Sequence, residues 1–223
     1  MESDLSQSLI SVEALLNQAE IIFWDFDGVV KDSLEVKASA FEKLFLPFGV
    51  EMAARVRKHH EKNGGMSRFE KIPLYLGWAG ELVGTNQVED YCKHFSVLVK
   101  DAVINAPWVP GVREYLIDQY SQRYFVLVSA TPQLEIQEIL NSLGIDFCFR
   151  EVYGAPQKKS EAIKEVLFKT GCPSERALMI GDAKTDMQAA KSNSVPFILR
   201  STPFNHDIQT KYTGPIFGGL KYG

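Results

Sequence analysis

The chain has 223 residues, 45% hydrophobic and 23% charged, ordinary values for a globular protein of one domain or of one domain with a sizeable insertion. Its 24 basic against 28 acidic residues give a formal net charge of −4, and no dense Lys/Arg block interrupts it. That excludes a general nucleic-acid binder. No apolar run approaches the ~18 residues of a membrane span, the opening MESDLSQSLI lacks the basic and apolar regions of a secretory signal, and Cys92, Cys148 and Cys172 are sparse and unpatterned, as thiols of a reducing compartment are. A cytoplasmic protein is expected.

The periodicity of Leu9, Val12, Leu15, Leu16 and Ala19 predicts a short amphipathic helix over 8–19. The apolar run Ile21-Ile22-Phe23-Trp24 predicts a strand, with Trp24 as a core aromatic. It ends in Asp25 and Asp27 with Gly28 behind them. Residues 34–105 read as almost continuous helix, broken at Asn63-Gly64-Gly65 and without a period-2 strand. After Pro107, helices are predicted over 110–120, 133–143 and 160–169. Strands are predicted over 124–132 (YFVLVSATP), about 147–152, the start of RALMIGDAKTD (176–186), and 195–200 (VPFILR). The segment from Ser201 reads as irregular.

Short apolar strands alternating with helices imply a doubly wound α/β fold with a parallel, Rossmann-like sheet. The block 34–105 is far too long for an ordinary crossover. It predicts an inserted helical cap, with residues 1–33 and 106–223 forming the core domain.

In open α/β sheets, ligands bind at the carboxyl ends of the strands. There the sequence places Asp25 and Asp27, Ser129 with Ala130, Lys158 and Lys159, and Asp182 with Asp186. Singly, each has an ordinary turn, cap or surface explanation. Together, the carboxylates Asp25, Asp27, Asp182 and Asp186 would repel one another unless a hard divalent cation sat among them, and Mg²⁺ suits a few carboxylates with water and phosphate oxygens. Ser129 and a lysine supply what a phosphate group needs. The assembled set points to metal-assisted phosphoryl transfer on a small phosphorylated molecule.

DFDGVV, VLVSATP, the lysines of KKSEAI and GDAKTD, in this order, resemble the haloacid dehalogenase superfamily of phosphohydrolases. The helical block resembles the cap of the phosphoglycolate phosphatase and β-phosphoglucomutase type. The resemblance implies Asp25 as the nucleophile that forms an aspartyl-phosphate. It implies Asp27 as acid and then base, its main-chain carbonyl also a metal ligand. Ser129 and the Ala130 amide would hold phosphate, Asp182 would bind Mg²⁺, and Asp186 would support the metal or the lysine. Lys159 fits the catalytic lysine's pattern better than Lys158. The second Asp, at 27, favours phosphate chemistry over dehalogenation. A phosphonatase branch would need a cap lysine such as Lys31, Lys37, Lys43 or Lys62.

Within the block, Arg68 and Lys71 are the expected cap contacts to substrate, Gly64-Gly65 would allow a close backbone approach, and Ser67 with Glu70 would form a capping box. His59 and His60 read as surface residues. The alternatives to a phosphatase are a phosphomutase on the same scaffold and a non-catalytic phosphate-binding regulator. Monomer and homodimer are equally compatible with the sequence.

Overall fold

The computed structural model describes residues 11–221. In chain order it comprises α1 (Val12–Gln18), β1 (Ile21–Trp24), α2 (Leu34–Phe45), α3 (Val50–Lys62), α4 (Arg68–Trp78), α5 (Thr85–Asn105), α6 (Val112–Gln119), β2 (Tyr124–Pro132), α7 (Gln133–Leu143), β3 (Glu151–Ala155), α8 (Lys159–Thr170), β4 (Ala177–Gly181), α9 (Lys184–Ser192), β5 (Phe197–Arg200), α10 (His206–Gln209) and β6 (Ile216–Phe217). All six strands are parallel, in the order β3-β2-β1-β4-β5-β6. The chain winds outward from β1 in both directions, so the fold is doubly wound and its switch point lies at the end of β1.

The apolar strands follow from burial on both faces. Ile22, Trp24, Phe125, Leu127, Leu178 and Ile180 join one core cluster, while Ile21, Phe23, Val126, Val128, Ala177 and Met179 join the other. This is the two-residue alternation of a pleated strand. Trp24 is fully buried, edge-on to Phe125 at 5.8 Å between ring centroids.

Helices α2–α5 leave and rejoin the sheet through adjacent segments. The Asp32 amide donates to the Pro107 carbonyl at 2.8 Å and the Val109 amide to the Val30 carbonyl at 3.1 Å. Phe41, Phe45, Val56, Tyr75, Phe95 and Val99 pack between these helices, continuous with the cluster on the Trp24 face of the sheet. Ser67 starts α4 as a capping residue, with Glu70 reaching back to its amide at 3.2 Å.

Some expectations shift. The third strand begins at Glu151 rather than near 147, because Asp146–Cys148 form a 3₁₀ turn. The irregular tail contains α10 and the two-residue β6, elements too short to leave a periodic signal. His60 is 5% exposed, not a surface residue, and His59 is half-buried against Tyr75 and Trp78. The helical spacing of α3 brings both rings onto its inward side. The predicted helix over 8–19 is described from Val12, and its first residues and the leading segment lie outside the described residues.

Candidate active site

Three carboxylates converge where the sheet switches direction. One oxygen each of Asp25, Asp182 and Asp186 lies within 4.8 Å of the others, and all three residues are buried. The Asp25 amide extends the β1–β4 ladder by donating to the Ile180 carbonyl at 3.0 Å, which fixes the carboxylate at the strand end. Gly28 turns the chain with φ +78°, and a Cβ there would sit 2.8 Å from Asp182 Oδ2, so only glycine lets the first loop pass the second carboxylate.

Lys159, at the start of α8, donates to Asp25 Oδ1 at 2.7 Å and to Asp186 Oδ1 at 2.6 Å. Lys158 is exposed beside it. The other oxygen of Asp186 accepts the Asp182 and Ala183 amides at 3.2 and 3.0 Å. Both Asp186 oxygens are therefore engaged, and Asp186 positions Lys159 and the Asp182 loop. Asn205 fixes that loop from outside, donating to the Asp182 carbonyl at 2.7 Å.

Burial dominates the electrostatics. It pushes Asp25 up to about 7 against the pull of Lys159, with Asp186 adding to the rise. Asp182 is raised well above the carboxylate range by burial and then by Asp25 and Asp186. Lys159 is raised, because its two carboxylates outweigh its burial. One ammonium among three buried carboxylates leaves the cluster short of positive charge, and an oxygen-only donor set of this kind fits a hard divalent cation.

Asp27 lies in a different environment. Its Oδ2 accepts Lys37 Nζ at 2.5 Å and Thr131 Oγ1 at 3.2 Å, and its Oδ1 accepts Ser33 Oγ at 2.7 Å. Burial alone would raise Asp27, but the charge and hydrogen bond of Lys37, with those of Ser33 and Thr131, hold it below the ordinary carboxylate value. Ser33 and Lys37 are four residues apart across the start of α2, one helical turn, so their common face was available from spacing alone. Of the lysines singled out for a phosphonatase branch, Lys37 is the one at the acidic pair. Lys31 is buried against Trp108 and donates to the Ile104 carbonyl at 3.0 Å, while Lys43 and Lys62 are exposed.

Ser129 is buried, and its Oγ accepts the Thr131 amide at 3.1 Å. With Ala130 and Lys159 it lines a cavity of about 540 Å³ whose far wall is Gly65, Met66, Ser67 and Glu70 of the helical block. Gly65 presses so closely on Thr185 that a Cβ would overlap the threonine hydroxyl. That is the close approach expected of the glycine pair, made here to the sheet-side loop. Arg68 does not face this cavity. It forms a buried two-pronged pair with Glu135 of α7, at 2.7 and 2.5 Å, over the Phe95 ring. Lys71 is 1% exposed, with its Nζ 2.9 Å from His60 Nδ1.

A buried carboxylate–lysine centre at the carboxyl ends of a doubly wound sheet, roofed by helices inserted after the first strand, defines the class. The family model described as haloacid dehalogenase-like hydrolase matches residues 21–199, and the chain belongs to that family of enzymes. A curated relative named phosphoglycolate phosphatase, from Pseudomonas syringae pv. tomato, is 32% identical over 199 residues, covering 84% of this chain and 71% of the relative. Among solved structures, the β-phosphoglucomutase of Clostridium difficile superposes with a TM-score of 0.70 at 21% identity, covering 89% of this chain and 91% of that one. A haloacid dehalogenase-like family hydrolase from Streptococcus pneumoniae superposes at 0.67 and 20%, covering 90% and 94%. These two share the fold. Among the described residues, no helix is long and apolar enough to cross a membrane.

Proposed function

We propose that this chain is a Mg²⁺-dependent phosphatase that hydrolyses a small phosphomonoester through an aspartyl-phosphate on Asp25. The observation that carries the reading is the pairing of Asp25 with Lys159 beside Asp182 at the end of β1, with Lys159 also lining the Ser129 cavity. The names of the sequence relatives point the same way, toward phosphoglycolate or a similar compact substrate. The inserted helices α2–α5 act as a cap that closes the cavity over the leaving group.

An Asp25 oxygen attacks phosphorus, and the bond to the leaving oxygen breaks. Asp27 rests as a carboxylate, so it draws a proton from Lys37 Nζ, 2.5 Å away, and passes it to the leaving oxygen. In the second half, Asp27 takes a proton from the water that attacks the aspartyl-phosphate and returns it to Lys37, releasing inorganic phosphate and restoring Asp25. Ser129, the Ala130 amide and Lys159 hold the phosphoryl oxygens. Asp25, Asp182 and the Asp27 carbonyl would hold Mg²⁺, with Asp186 behind them, and the ion supplies positive charge opposite the transferring group. The substrate is a small molecule, met in the cytoplasm; the free, buried Cys92 and Cys148 support a reducing compartment.

The test is phosphate release from an aryl phosphate and from phosphoglycolate with Mg²⁺, before and after chelation. Turnover lost on chelation and restored by Mg²⁺ is expected. An isomerised sugar phosphate formed without net phosphate release would replace hydrolysis by mutase chemistry. No turnover with any phosphomonoester would overturn the enzymatic reading.

A further inference from the structure

At the end of the sheet away from Asp25, three strands are each entered through an arginine. Arg123 stands directly before β2, Arg150 before β3 and Arg176 before β4, while Glu20 stands directly before β1. The strand order β3-β2-β1-β4 sets them in one row: Arg150, Arg123, Glu20, Arg176. Ile21 is in register with Tyr124 and with Ala177, so Arg123, Glu20 and Arg176 are level. Arg150 sits slightly further in, its amide donating to the Phe125 carbonyl at 2.8 Å. The row lines a cavity of about 510 Å³ together with Asn17, Ser121 and Gln122. From Glu20 to Asp25 the extended chain advances about 17 Å, so this cavity is no part of the catalytic centre.

The charges in the row do not cancel. Glu20 Oε1 accepts Arg176 Nη2 at 2.5 Å, which matches one arginine. Arg123 is oriented rather than neutralised: its Nη1 donates to the Asn17 and Ala19 carbonyls at 3.1 and 2.6 Å, tying the guanidinium to the end of α1. Its Nε and Nη2 make no hydrogen bond among the described residues, nor does the exposed side chain of Arg150. Glu151, the carboxylate next to Arg150, is taken up by Tyr124, Tyr153 and Lys169 instead. Three arginines facing one carboxylate leave two positive charges along this cavity, in a chain whose overall charge is −4. A concave wall concentrates such a field, and the planar guanidinium fork suits the oxygens of a phosphate.

We infer that this cavity is a second anion site, which takes the phosphate dianion of a small molecule on Arg123 and Arg150. Two unmatched positive charges correspond to one dianion. Arg123 supplies a pre-set edge, because the α1 carbonyls already hold its other nitrogen, and Arg150 reaches the anion from the neighbouring strand entrance. The volume exceeds a bare phosphate and leaves room for an organic part beside the polar side chains of Asn17, Ser121 and Gln122. The inference stands on this row alone and does not need the phosphatase reading.

Amide resonances of the isotope-labelled protein report the two ends of the sheet separately. In Mg²⁺-free buffer, inorganic phosphate should shift Gln122–Tyr124, Arg150 and Arg176 with a midpoint independent of any shift at Ser129–Thr131. Arg150→Gln should weaken that midpoint about tenfold, the worth of one charge-assisted hydrogen bond at an open site, and leave Ser129–Thr131 as they were. Glu20→Gln should tighten it about three- to fivefold by removing the one carboxylate, a gain that no folding defect imitates. The same titration with glycerol phosphate separates two sources of the dianion. A lower midpoint assigns the rest of the cavity to an organic part, and an equal or higher one assigns the site to free phosphate.

Absence of shifts along the row, or shifts that sodium chloride of matched ionic strength reproduces, would overturn the inference. So would a midpoint indifferent to Arg150→Gln, or one shared with Ser129–Thr131. None of these outcomes touches the phosphatase reading, which is decided by turnover.

Discussion

Asp25 and Asp27 are two residues apart, are both held in the interior, and have opposite surroundings. Around Asp25 stand two further carboxylates and one ammonium, and its carboxyl is pushed up to about 7. Around Asp27 stand an ammonium, two hydroxyls and, behind them, a second lysine, and its carboxyl is held down. The first half of the centre lacks positive charge and the second lacks negative charge. Identical side chains on one loop thus acquire different surroundings from the elements that meet them, which is what the proposed division of attack and proton transfer between them requires.

The largest expected effect breaks the first half. Asp25→Asn should lower turnover by about four orders of magnitude or more, as loss of a covalent nucleophile does, with the circular dichroism spectrum unchanged. Near-wild-type phosphate release by this variant would remove Asp25 from the mechanism. A balanced site provides the contrast: Arg68 and Glu135 pair one to one in the interior. Arg68→Ala should cost about 3–5 kcal/mol in denaturant unfolding, because it strands a buried carboxylate.

A smaller effect sharpens the second half. Lys37→Met should lower kcat by about 10- to 100-fold, by removing the proton source while leaving Asp27 in place. It also has a stability signature. A carboxyl held below its ordinary 3.8 stabilises the fold above that value, and the contribution is lost as pH falls through the lower folded value. Without Lys37, only the Ser33 and Thr131 hydroxyls oppose burial, and the Asp27 carboxyl rises. The stability gap between wild type and variant should therefore be widest near neutrality and close below about pH 3.8. A gap independent of pH would mean that the ion pair does not set the state of Asp27. The smallest effect tests the seam between roof and sheet. Gly65→Ala should reduce kcat/KM by several-fold up to about tenfold, by wedging the roof away from Thr185, and Thr185→Ala should restore part of it.

The parallel sheet was legible because apolar runs of four or five residues ending in Asp or Ser carry both their burial and their termini in the sequence. The first half of the centre was legible for the same reason, since Asp25, Lys159 and Asp182 lie at strand ends or helix starts and Ser129 where the β2–β3 pairing shifts register. The second half was not. Lys37 and Thr131 come from elements 94 residues apart and meet only at Asp27, and Lys37 entered the sequence reading for a different chemistry. His60 looked like half of an exposed HH pair because Tyr75 and Phe41, which cover the two rings, come from other helices. Arg68 was expected at the substrate because nothing local reveals Glu135, 67 residues away. Pairings that depend on how α2–α5 settle on the sheet are properties of the packed whole.

The helical block leaves and returns through one hydrogen-bonded ribbon, 30–32 against 107–109. With its two ends already side by side, the length of chain between them imposes almost no closure cost on the sheet, because that cost grows only logarithmically. The strand order and the Asp25 centre can then stay fixed while the roof drifts in size and lining. In such an architecture the reaction is inherited with the sheet, and new appetites are acquired by editing one detachable parenthesis in the chain.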